Sequence, residues 1–576
     1  MKLKTSDVLC LLFLWLMIAG LAWLSWGKCG HFVKDYGREI THAWKVADGQ
    51  VLYDDAACLF GPLGAYVNAT IFRIFGYSIT KLQIIQLVLF TLFSTSLFLF
   101  LKEAFNTILG FLGSFAVVSI HGFGFQGLAS TFNFLAPYTH NATYGFYLCW
   151  MMLLFLFLDL AHRRREDSRN AFNYWVLCAG LCSGLGFQTK SDIALGCLGI
   201  GFGWFLLCIY QRNFKFGIKQ LVVLVLGFWG GHIFMLLYLL LWGMPFETSL
   251  YALVGSWLPI FHSGTNAGFE FFYKAQMGLL NPLTNILEIF KFTLFYLAIL
   301  GMILIISGAC WFKEFKVLKL GVIFTALLAI FLVVLKDFSW MNFSRPYLLI
   351  NISVLVFLLI NKNSCLRVKS EIALWMLSFA ALALSVKMLL LPRIYHYGFY
   401  LGIFSVIIVL LLFYFYFPKF ATYKSQYTHL NKQALWGQLL FIYFFITVFN
   451  LGSLTSRLKF KEVELRVDQD NLIYLSREDK EELRARDVME FMSHQLGEDE
   501  RFLAVPYGSL INYFLNSHVP TKYDVFMPPE IKFFGEKKMI ADLEMNSSDY
   551  VINLDQIYKE YGVEFEEKGL GKFFVN

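Results

Sequence analysis

Long apolar runs separated by short polar segments make up most of the first 452 residues. The first run, Val8–Trp26, follows Lys2 and Lys4 and has about 19 residues, enough to cross a hydrocarbon core of about 30 Å. It is longer than the apolar part of a signal peptide, so we expect an uncleaved anchor. With the later runs, the pattern predicts roughly 13 spans in an α-helical polytopic membrane protein. The later spans are predicted at 84–101, 107–121, 144–160, 173–187, 193–210, 219–242, 290–310, 319–336, 347–361, 371–391, 398–417 and 434–452.

Composition and charge agree with this class. Apolar residues make up 58% of the 576 residues and charged residues only 15%, which leaves too little polar surface for a soluble globule of this size. The short connections that share a side with Met1 are basic, as in the run at 163–165, and this is the positive-inside pattern. The N-terminus is therefore predicted to be cytoplasmic, and the segment after Gly452 to lie outside. Membrane lipids are expected partners, and nucleic acid is not.

The chain divides by character into a membrane domain, 1–452, and a C-terminal segment, 453–576. The C-terminal segment carries 24 Asp and Glu against 16 Lys and Arg, a net charge of −8. Helical patterns in "ARDVMEFMSHQL" and "EKKMIADLEM" and short apolar strands in "RFLAVPYG" and "DYVINL" predict a small exoplasmic α/β domain. The aromatic stretch at 505–530 is either a packed loop or a surface that meets an acceptor.

The first exoplasmic loop, 27–83, is unusually rich in ionisable residues. We expect a juxtamembrane helix from about Tyr36 to Gly49, and a second helix at 63–75 that lies at the interface. Cys29 and Cys58 both fall in this outer loop, where a disulfide could form, but the sequence leaves their pairing open. Metal-binding Cys or His spacings are not found in the sequence.

Outside the basic connections, the polar side chains gather at the outer ends of the predicted spans rather than at their centres. A transporter would carry polar residues near mid-span, so a site at the outer interface is favoured. Cationic side chains there suit a lipid-linked phosphate. Carboxylates suit a base that deprotonates an attacking hydroxyl. The cationic candidates are Lys190, Arg345, Lys387, Arg393 and His396, and the acidic candidates are Asp35, Glu39, Asp54, Asp55 and Asp192.

Several outer motifs occur together in a familiar order. "DYGRE", "ADGQVLYDD", "GPLGAY" and "FRIFG" in the first loop are followed by "FNFLAPYTHNATYG", "GLGFQTKSDIAL" and "RIYHYGFYLG". This order resembles the dolichyl-phosphate-mannose protein mannosyltransferase-like superfamily of GT-C fold membrane glycosyltransferases, over most of residues 7–402. The resemblance implies an inverting transferase that uses a polyprenyl-phosphate-linked sugar donor and a glycan, lipid or protein acceptor.

The resemblance also implies roles for individual residues. Asp35 matches the general base of the family, and Glu39 is the nearby acid. Lys190 matches the lysine that faces the donor phosphate, and Arg38 is the basic neighbour of the base. Further phosphate ligands are expected at Arg345, Lys387, Arg393 and His396, and acceptor or sugar contacts at Tyr138, His140, Asp192 and Tyr397. No cofactor is required, and no residue is assigned to a metal. A divalent cation between Asp35 or Glu39 and the phosphate is compatible with the spacing.

Departures and alternatives stay open at this point. Tyr36 stands where many relatives have a second acid, and Gly61 stands where the aminoarabinose transferases have lysine, so the sugar is undefined. Asp35 and Arg38 could also be an i,i+3 surface pair, and Lys190 a snorkelling lysine. The rival functions are a transporter or flippase and a non-catalytic binding protein for lipid-linked sugars. Asp54 and Asp55 are expected to have a structural role in the first loop. The expected location is the bacterial cytoplasmic membrane.

Overall fold

The computed structural model describes most of the chain. The described residues are 3–576 apart from 34, 124–130, 164–172, 212, 262–265, 310–339, 362–367, 422–434, 441, 445, 447–450, 452–453, 455–457, 469, 498, 555–556, 559–562 and 565–576. The predicted span at 319–336 lies outside these residues, as do eight of the 19 residues of the span at 434–452. Cys310 and Cys365 lie outside them as well.

Long apolar helices dominate the described residues. Nine of them have the length and hydropathy needed to cross a membrane, and each falls on a predicted span. The predicted spans 107–121 and 173–187 also fall on helices, which are shorter at Thr107–Gly122 and Tyr174–Phe187. The α-helical fold class is therefore confirmed for the part of the chain that can be described.

Twelve described helices begin within the first 275 residues. They are α1 (Thr5–Ser25), α2 (Tyr36–Ala47), α3 (Leu63–Phe75), α4 (Ile79–Ala104), α5 (Thr107–Val117, continued by a π turn at Val118–Gly122), α6 (His140–Arg163), α7 (Tyr174–Phe187), α8 (Ser191–Gln211), α9 (Phe214–Leu241), α10 (Phe246–Val254), α11 (Leu258–Phe261) and α12 (Asn266–Met277). The two predicted loop helices are confirmed as α2 and α3, and Gly49 follows α2 with a φ of +97° that favours glycine.

The later helices precede a C-terminal α/β region. They are α13 (Pro282–Ala309), α14 (Tyr347–Ile360), α15 (Lys369–Ser385), α16 (Gly398–Leu401) and α17 (Ile403–Leu411), with 3-10 turns at Trp340–Ser344 and Val386–Met388 and a π turn at Leu412–Tyr416. The C-terminal region contains β1 (Lys461–Arg466), β2 (Leu472–Ser476), α18 (Lys480–Gln495), β3 (Phe502–Val505), α19 (Ser509–Phe514), α20 (Pro528–Phe534), α21 (Glu536–Met545), β4 (Tyr550–Asn553), β5 (Ile557–Tyr558) and β6 (Val563–Glu564). Strands β1 and β2 pair antiparallel, β3 and β4 pair parallel, and β5 and β6 pair antiparallel. The predicted small α/β region is thus confirmed.

The chain forms two compact units. The first unit contains Met1–Leu16, Ser94–His121 and Gln276–Leu454. Within it, the buried Asp7 carboxylate binds Lys102 Nζ at 2.5 Å and accepts a hydrogen bond from Thr107 Oγ1 at 2.7 Å. This buried ion pair holds the starts of α1 and α5 to the end of α4.

The second unit contains Met17–Phe93, Gly122–Ala275 and Thr455–Asn576, so the C-terminal region packs with the first loop. Thr41 Oγ1 donates to Ser509 O at 3.1 Å, and the Ala57 N–H donates to Lys522 O at 2.9 Å. Trp44 stacks on His518 with ring centroids 3.9 Å apart. The aromatic stretch at 505–530 is mostly buried here, as the packed-loop interpretation expects. The domain boundary at 452/453 stays a prediction.

Two glycine-lined helices pack closely in this unit. A Cβ added at Gly180 or Gly184 of α7 would lie 2.2 Å from a backbone oxygen of α9, and Gly227 and Gly231 line the facing surface of α9. Small residues allow such close approach between apolar helices, where van der Waals contact drives association.

The thiols of the first loop are free. Cys29 and Cys58 are both buried and unpaired by any disulfide, and their Sγ atoms each lie 3.7 Å from a backbone oxygen, of Phe123 and Phe60 respectively. The bridge that the sequence left open is not formed in this structure.

Candidate active site

The glycine turn of the first loop docks onto the segment that carries Lys190. The Gly61 N–H donates to Thr189 O at 2.9 Å, and the Leu63 N–H donates to Gln188 O at 3.3 Å. Asn141 Nδ2 donates to Gly61 O at 3.2 Å. A Cβ on residue 61 would lie only 1.9 Å from Gln188 O, so the approach requires glycine. Two motifs that are far apart in sequence therefore form one backbone junction.

At this junction, the Phe60 ring contacts two cationic side chains. Lys190 Nζ lies 4.9 Å from the centroid of the Phe60 ring, and Arg38 Cζ lies 4.6 Å from it. Lys190 is buried and its Nζ donates to Tyr138 Oη at 2.7 Å. The ammonium is thus held inside the unit against aromatic rings, whereas a snorkelling lysine would extend its ammonium to the aqueous surface.

Asp35 directly precedes α2 and is the more exposed of the two predicted catalytic acids. Its side chain is 40% exposed, and its Oδ1 lies 3.4 Å from Arg38 Nη2. Tyr507 Oη donates to the same oxygen at 3.5 Å, and Arg38 Nη1 lies 3.5 Å from Glu530 Oε1. Because the Arg38 side chain is buried and bridges two carboxylates, this pair is not a simple surface i,i+3 contact.

Glu39 and His140 make a different kind of contact. Glu39 is buried, and its Oε2 accepts a hydrogen bond of 3.1 Å from the His140 N–H at the start of α6. The His140 ring is fully buried beside Tyr36 and Tyr144, with centroid separations of 6.1 and 5.8 Å. Capping of a helix N-terminus by a carboxylate is a stabilising arrangement. The assignments of Glu39 to catalysis and His140 to the acceptor stay predictions.

Asp192 is also placed at a helix start. It is buried in the first turn of α8, and its Oδ1 accepts a hydrogen bond from the Ile193 N–H at 2.9 Å. Its predicted contact with a sugar stays a prediction.

Other predicted phosphate ligands belong to the first unit, where two loops meet. Ser344 Oγ donates to Pro392 O at 2.9 Å, which joins the segments that carry Arg345 and Arg393. The two guanidinium groups carry like charges on these adjoining segments. Arg345 Nη1 donates to Asn285 Oδ1 at 3.0 Å, and burial lowers the pKa of Arg393. Two like charges held together would gain from an anion.

The remaining predicted residues of this unit stack on one another. Lys387 Nζ lies 3.7 Å from the centroid of the Tyr397 ring, and the His396 ring centroid lies 4.0 Å from that of Tyr397. His396 has a φ of 56°, an uncommon value for a residue with a side chain. Their roles in donor and sugar binding stay predictions.

A buried charge cluster near Arg38 was not predicted from the sequence. Asp524 lies 3.7 Å from His42 Nε2 and 3.5 Å from Lys45 Nζ, and all three side chains are buried. Burial lowers the pKa of His42, but the Asp524 carboxylate outweighs it and raises the value to about 10. Burial raises the pKa of Asp524, but Lys45 and His42 hold it below its usual range. Burial also raises the pKa of Glu530 to about 7, against the effect of Arg38.

One group of possible metal ligands lies elsewhere. Among the described residues, only His31, Asp479 and Glu481 bring three ligand atoms within 4.8 Å of one another. His31 Nδ1 accepts from the Val33 N–H at 3.2 Å, so the proton of a neutral ring lies on Nε2, which is 3.0 Å from Asp479 Oδ2. The contact is therefore a hydrogen bond from the histidine to the carboxylate, and a metal does not fit this tautomer.

Comparison with solved structures finds matches of low identity. The archaeal oligosaccharyltransferase AglB from Archaeoglobus fulgidus, in complex with an inhibitory peptide and a dolichol-phosphate, is 12% identical with a TM-score of 0.48; the match covers 90% of this chain and 61% of that chain. ArnT from Cupriavidus metallidurans, bound to undecaprenyl phosphate, is 9% identical with a TM-score of 0.46 over 94% of this chain and 89% of that chain. This chain thus spans about three fifths of the AglB chain. At these scores, neither match supports a conclusion about ligand or reaction.

Sequence comparison is more specific. A search of curated proteins finds no match to this sequence. The family model described as dolichyl-phosphate-mannose-protein mannosyltransferase matches residues 60–230. This segment includes Phe60, the glycine turn, Tyr138 and Lys190. The resemblance noted from the sequence motifs is therefore confirmed over residues 60–230, which are similar to the model of that family.

Proposed function

We propose that the protein is an inverting glycosyltransferase that moves a sugar from a polyprenyl-phosphate donor to a hydroxyl of a cell-envelope acceptor at the outer membrane face. One observation carries the proposal. The accessible Asp35 carboxylate and the buried Lys190 ammonium are linked through Arg38 and the Phe60 ring, by contacts of 3.4, 4.6 and 4.9 Å. These contacts support the assignment of a base and a phosphate-binding cation to one scaffold, and the family match over 60–230 supports the same reaction class.

Asp35 is the better candidate for the base. A general base must reach the proton it removes, and Asp35 keeps 40% of its side chain exposed. Glu39 is buried, and one of its oxygens already accepts the His140 N–H. In the proposed reaction, Asp35 takes the proton of the acceptor hydroxyl while that oxygen bonds to the anomeric carbon and the bond to the lipid phosphate breaks.

Lys190 would stabilise the departing phosphate. An ammonium in a buried, aromatic setting interacts more strongly with an anion than one in water. Tyr138 orients it through the 2.7 Å hydrogen bond. The assignments of Arg345, Lys387, Arg393 and His396 to the same phosphate, and a divalent cation near Asp35, remain expectations. So does the location in a bacterial cytoplasmic membrane with the C-terminal segment outside.

The test is transfer by purified full-length protein in liposomes. Radiolabelled undecaprenyl-phosphate hexoses and pentoses are supplied with a cell-envelope extract, and the label that leaves the lipid fraction is counted. Asp35→Asn should lower transfer by about 10²–10⁴-fold, the usual contribution of base catalysis. Asp54→Asn is the matched control, because Asp54 is a carboxylate of the same loop whose Oδ2 accepts from Thr248.

Two results would contradict the proposal in different ways. Unchanged transfer by Asp35→Asn would remove the base assignment but leave the enzyme class. Wild-type protein that moves no label from any donor, yet exposes the donor headgroup on the other leaflet, would favour the flippase alternative. Binding of donor without either activity would favour a non-catalytic binding protein.

A further inference from the structure

The segment formed by α10 and α11, residues 246–261, exposes an apolar face. Phe246, Leu250 and Val254 recur at every fourth position of α10, so their side chains lie along one side of the helix, and they are 57%, 45% and 45% exposed. Phe261, at the end of α11, is 74% exposed. Glu247 is the only charged residue of the segment. Neighbouring exposed apolar side chains of this kind mark a surface that contacts a partner or a membrane.

The hydroxyl groups of the same segment are turned towards the protein. Thr248 Oγ1 donates a hydrogen bond to Asp54 Oδ2 at 2.8 Å, and Ser256 Oγ donates to Phe187 O at 3.3 Å. Ser249 is buried. The segment therefore has its polar side inward and its apolar side outward, which is the reverse of a helix that faces water.

The exposed face continues the surface of a membrane-spanning helix. Helix α9 has the length and hydropathy needed to cross a membrane, and its last residue, Leu241, is 86% exposed. Phe234 and Leu237 in the preceding turns are 59% and 55% exposed, as expected for side chains that face hydrocarbon. Only four residues separate α9 from α10. The segment therefore begins at the level where the chain leaves the hydrocarbon core, and the bilayer is the partner that fits its apolar face.

The segment also contacts both sides of the junction in the candidate site. Tyr53 Oη donates to Phe60 O at 2.6 Å, and the Tyr53 ring centroid lies 5.7 Å from that of Tyr251 in α10. The Trp257 ring stacks on Phe187 with centroids 5.1 Å apart. Phe187 ends α7, directly before the backbone that pairs with the glycine turn. The position of the segment and the position of the junction are therefore coupled.

We propose that segment 246–261 lies in the interfacial layer of the bilayer with its apolar face in hydrocarbon, and that it thereby holds the junction at the level of the lipid phosphates. Interfacial helices bury their apolar face by about 5–10 Å. The second part rests on the proposed function, because this level matters to Lys190 only if that residue binds a lipid-linked phosphate. The first part does not depend on it.

The depth of the segment is measured on the full-length protein in liposomes of phosphatidylethanolamine and phosphatidylglycerol. A p-acetylphenylalanine that carries a nitroxide replaces Phe246, Phe261 or Phe491 in turn. Phe491 is the matched control, because it is 62% exposed on the polar helix α18. Collisions of each nitroxide with oxygen, which concentrates in hydrocarbon, are compared with collisions with a water-soluble nickel complex. The labels at positions 246 and 261 should lie about 5–10 Å below the phosphates, and the label at position 491 should lie in water.

Two results would overturn the membrane contact. Labels at positions 246 and 261 that are as accessible to nickel as the label at 491 would place the segment in water. Dipolar coupling between labels at position 261 of two molecules would show that a second copy covers the face instead.

The second part is tested by binding, so that it can fail separately from sugar transfer. Undecaprenyl phosphate is titrated into nanodiscs of each variant, and tryptophan fluorescence reports binding. Phe261→Asp should raise the half-saturating mole fraction at least about fivefold, whereas Phe491→Asp should match the wild type. Equal values for all three proteins would overturn the coupling to the phosphate level, even where the depth measurement agrees. Thermal midpoints show whether each variant is folded.

Discussion

Substitution of Gly61 by alanine is the sharpest test of the junction on which the site rests. The added methyl carbon would lie 1.9 Å from Gln188 O and 2.8 Å from Thr189 O. Ordinary contacts of a carbon atom are about 3.5 Å or longer, so the two backbones must separate by roughly 1.5 Å. Both neighbours are backbone atoms, which cannot turn aside as a flexible side chain can.

The cost follows from the hydrogen bonds that this separation breaks. Three of them cross the junction: Gly61 N–H to Thr189 O, Leu63 N–H to Gln188 O, and Asn141 Nδ2 to Gly61 O. At about 1 kcal/mol for each buried bond, Gly61→Ala should destabilise the protein by roughly 2–4 kcal/mol. Phe60 adjoins the turn, so its ring would move away from Arg38 and Lys190, and a shift of about 1 Å near reacting groups can lower the rate about 10²-fold.

Gly20→Ala is the matched control, because a methyl group there meets nothing within 4 Å. Both variants are purified in nanodiscs, their thermal unfolding is followed by tryptophan fluorescence, and their transfer rates are compared with that of the wild type. Gly61→Ala should unfold at a lower temperature and transfer slowly, whereas Gly20→Ala should match the wild type. Equal midpoints and equal rates for the two variants would refute the junction as the element that positions the site.

Three other substitutions test separate parts of the site. Glu39→Gln keeps an oxygen that can accept the hydrogen bond from the His140 backbone N–H, so this variant should retain stability and transfer. Glu39→Ala should lower the free energy of unfolding by about 1 kcal/mol, measured by thermal unfolding. A large loss of transfer in Glu39→Gln would instead favour a catalytic role for Glu39. Lys190→Met should raise the KM for the donor more than tenfold (about 1.4 kcal/mol), and Lys190→Arg should raise it less. If Lys190→Met and the wild type have equal KM values, Lys190 does not bind the donor phosphate. Burial raises the pKa of Glu530 in the folded protein to about 7, from an ordinary value of 4.5. The folded state therefore binds the Glu530 proton more tightly than the unfolded state does. Stability should fall by on the order of 3 kcal/mol as pH rises from about 4.5 through 7. Glu530→Gln should make the thermal midpoint less dependent on pH between pH 5 and 8. An unchanged pH dependence would contradict the raised pKa of Glu530.

Local pattern was sufficient to predict the spans, the two helices of the first loop and part of the C-terminal region. Every predicted span that the structure describes falls on a helix, because an apolar run of this length has few other stable forms in a membrane. In the C-terminal region, the predicted strands "RFLAVPYG" and "DYVINL" contain β3 and β4, and the predicted helix "EKKMIADLEM" coincides with α21. Strands β1 and β2 were not predicted. The predicted carboxylate and lysine of the site come together with aromatic neighbours in the second unit.

Contacts between residues far apart in the sequence could not be predicted from local pattern. His42 and Lys45 lie in the first loop, and their partner Asp524 lies in the last tenth of the chain. No spacing rule connects residues at such a distance. Phe60 directly precedes the glycine turn and could have been noticed, but nothing local shows that its ring contacts two cations.

Arg38 explains why the C-terminal region belongs to the site. Its planar guanidinium contacts Asp35 and Glu530 with different nitrogens while its carbon lies over the Phe60 ring, a combination that lysine cannot reproduce. Asp35 is held on its other side by Tyr507, which is 472 residues away in sequence. The orientation of the proposed base is therefore set jointly by the first loop and by residues near the end of the chain. The Glu530 carboxylate of the C-terminal region is buried where it contacts Arg38, so both segments of the chain fix the position of Arg38 and, through it, of Asp35.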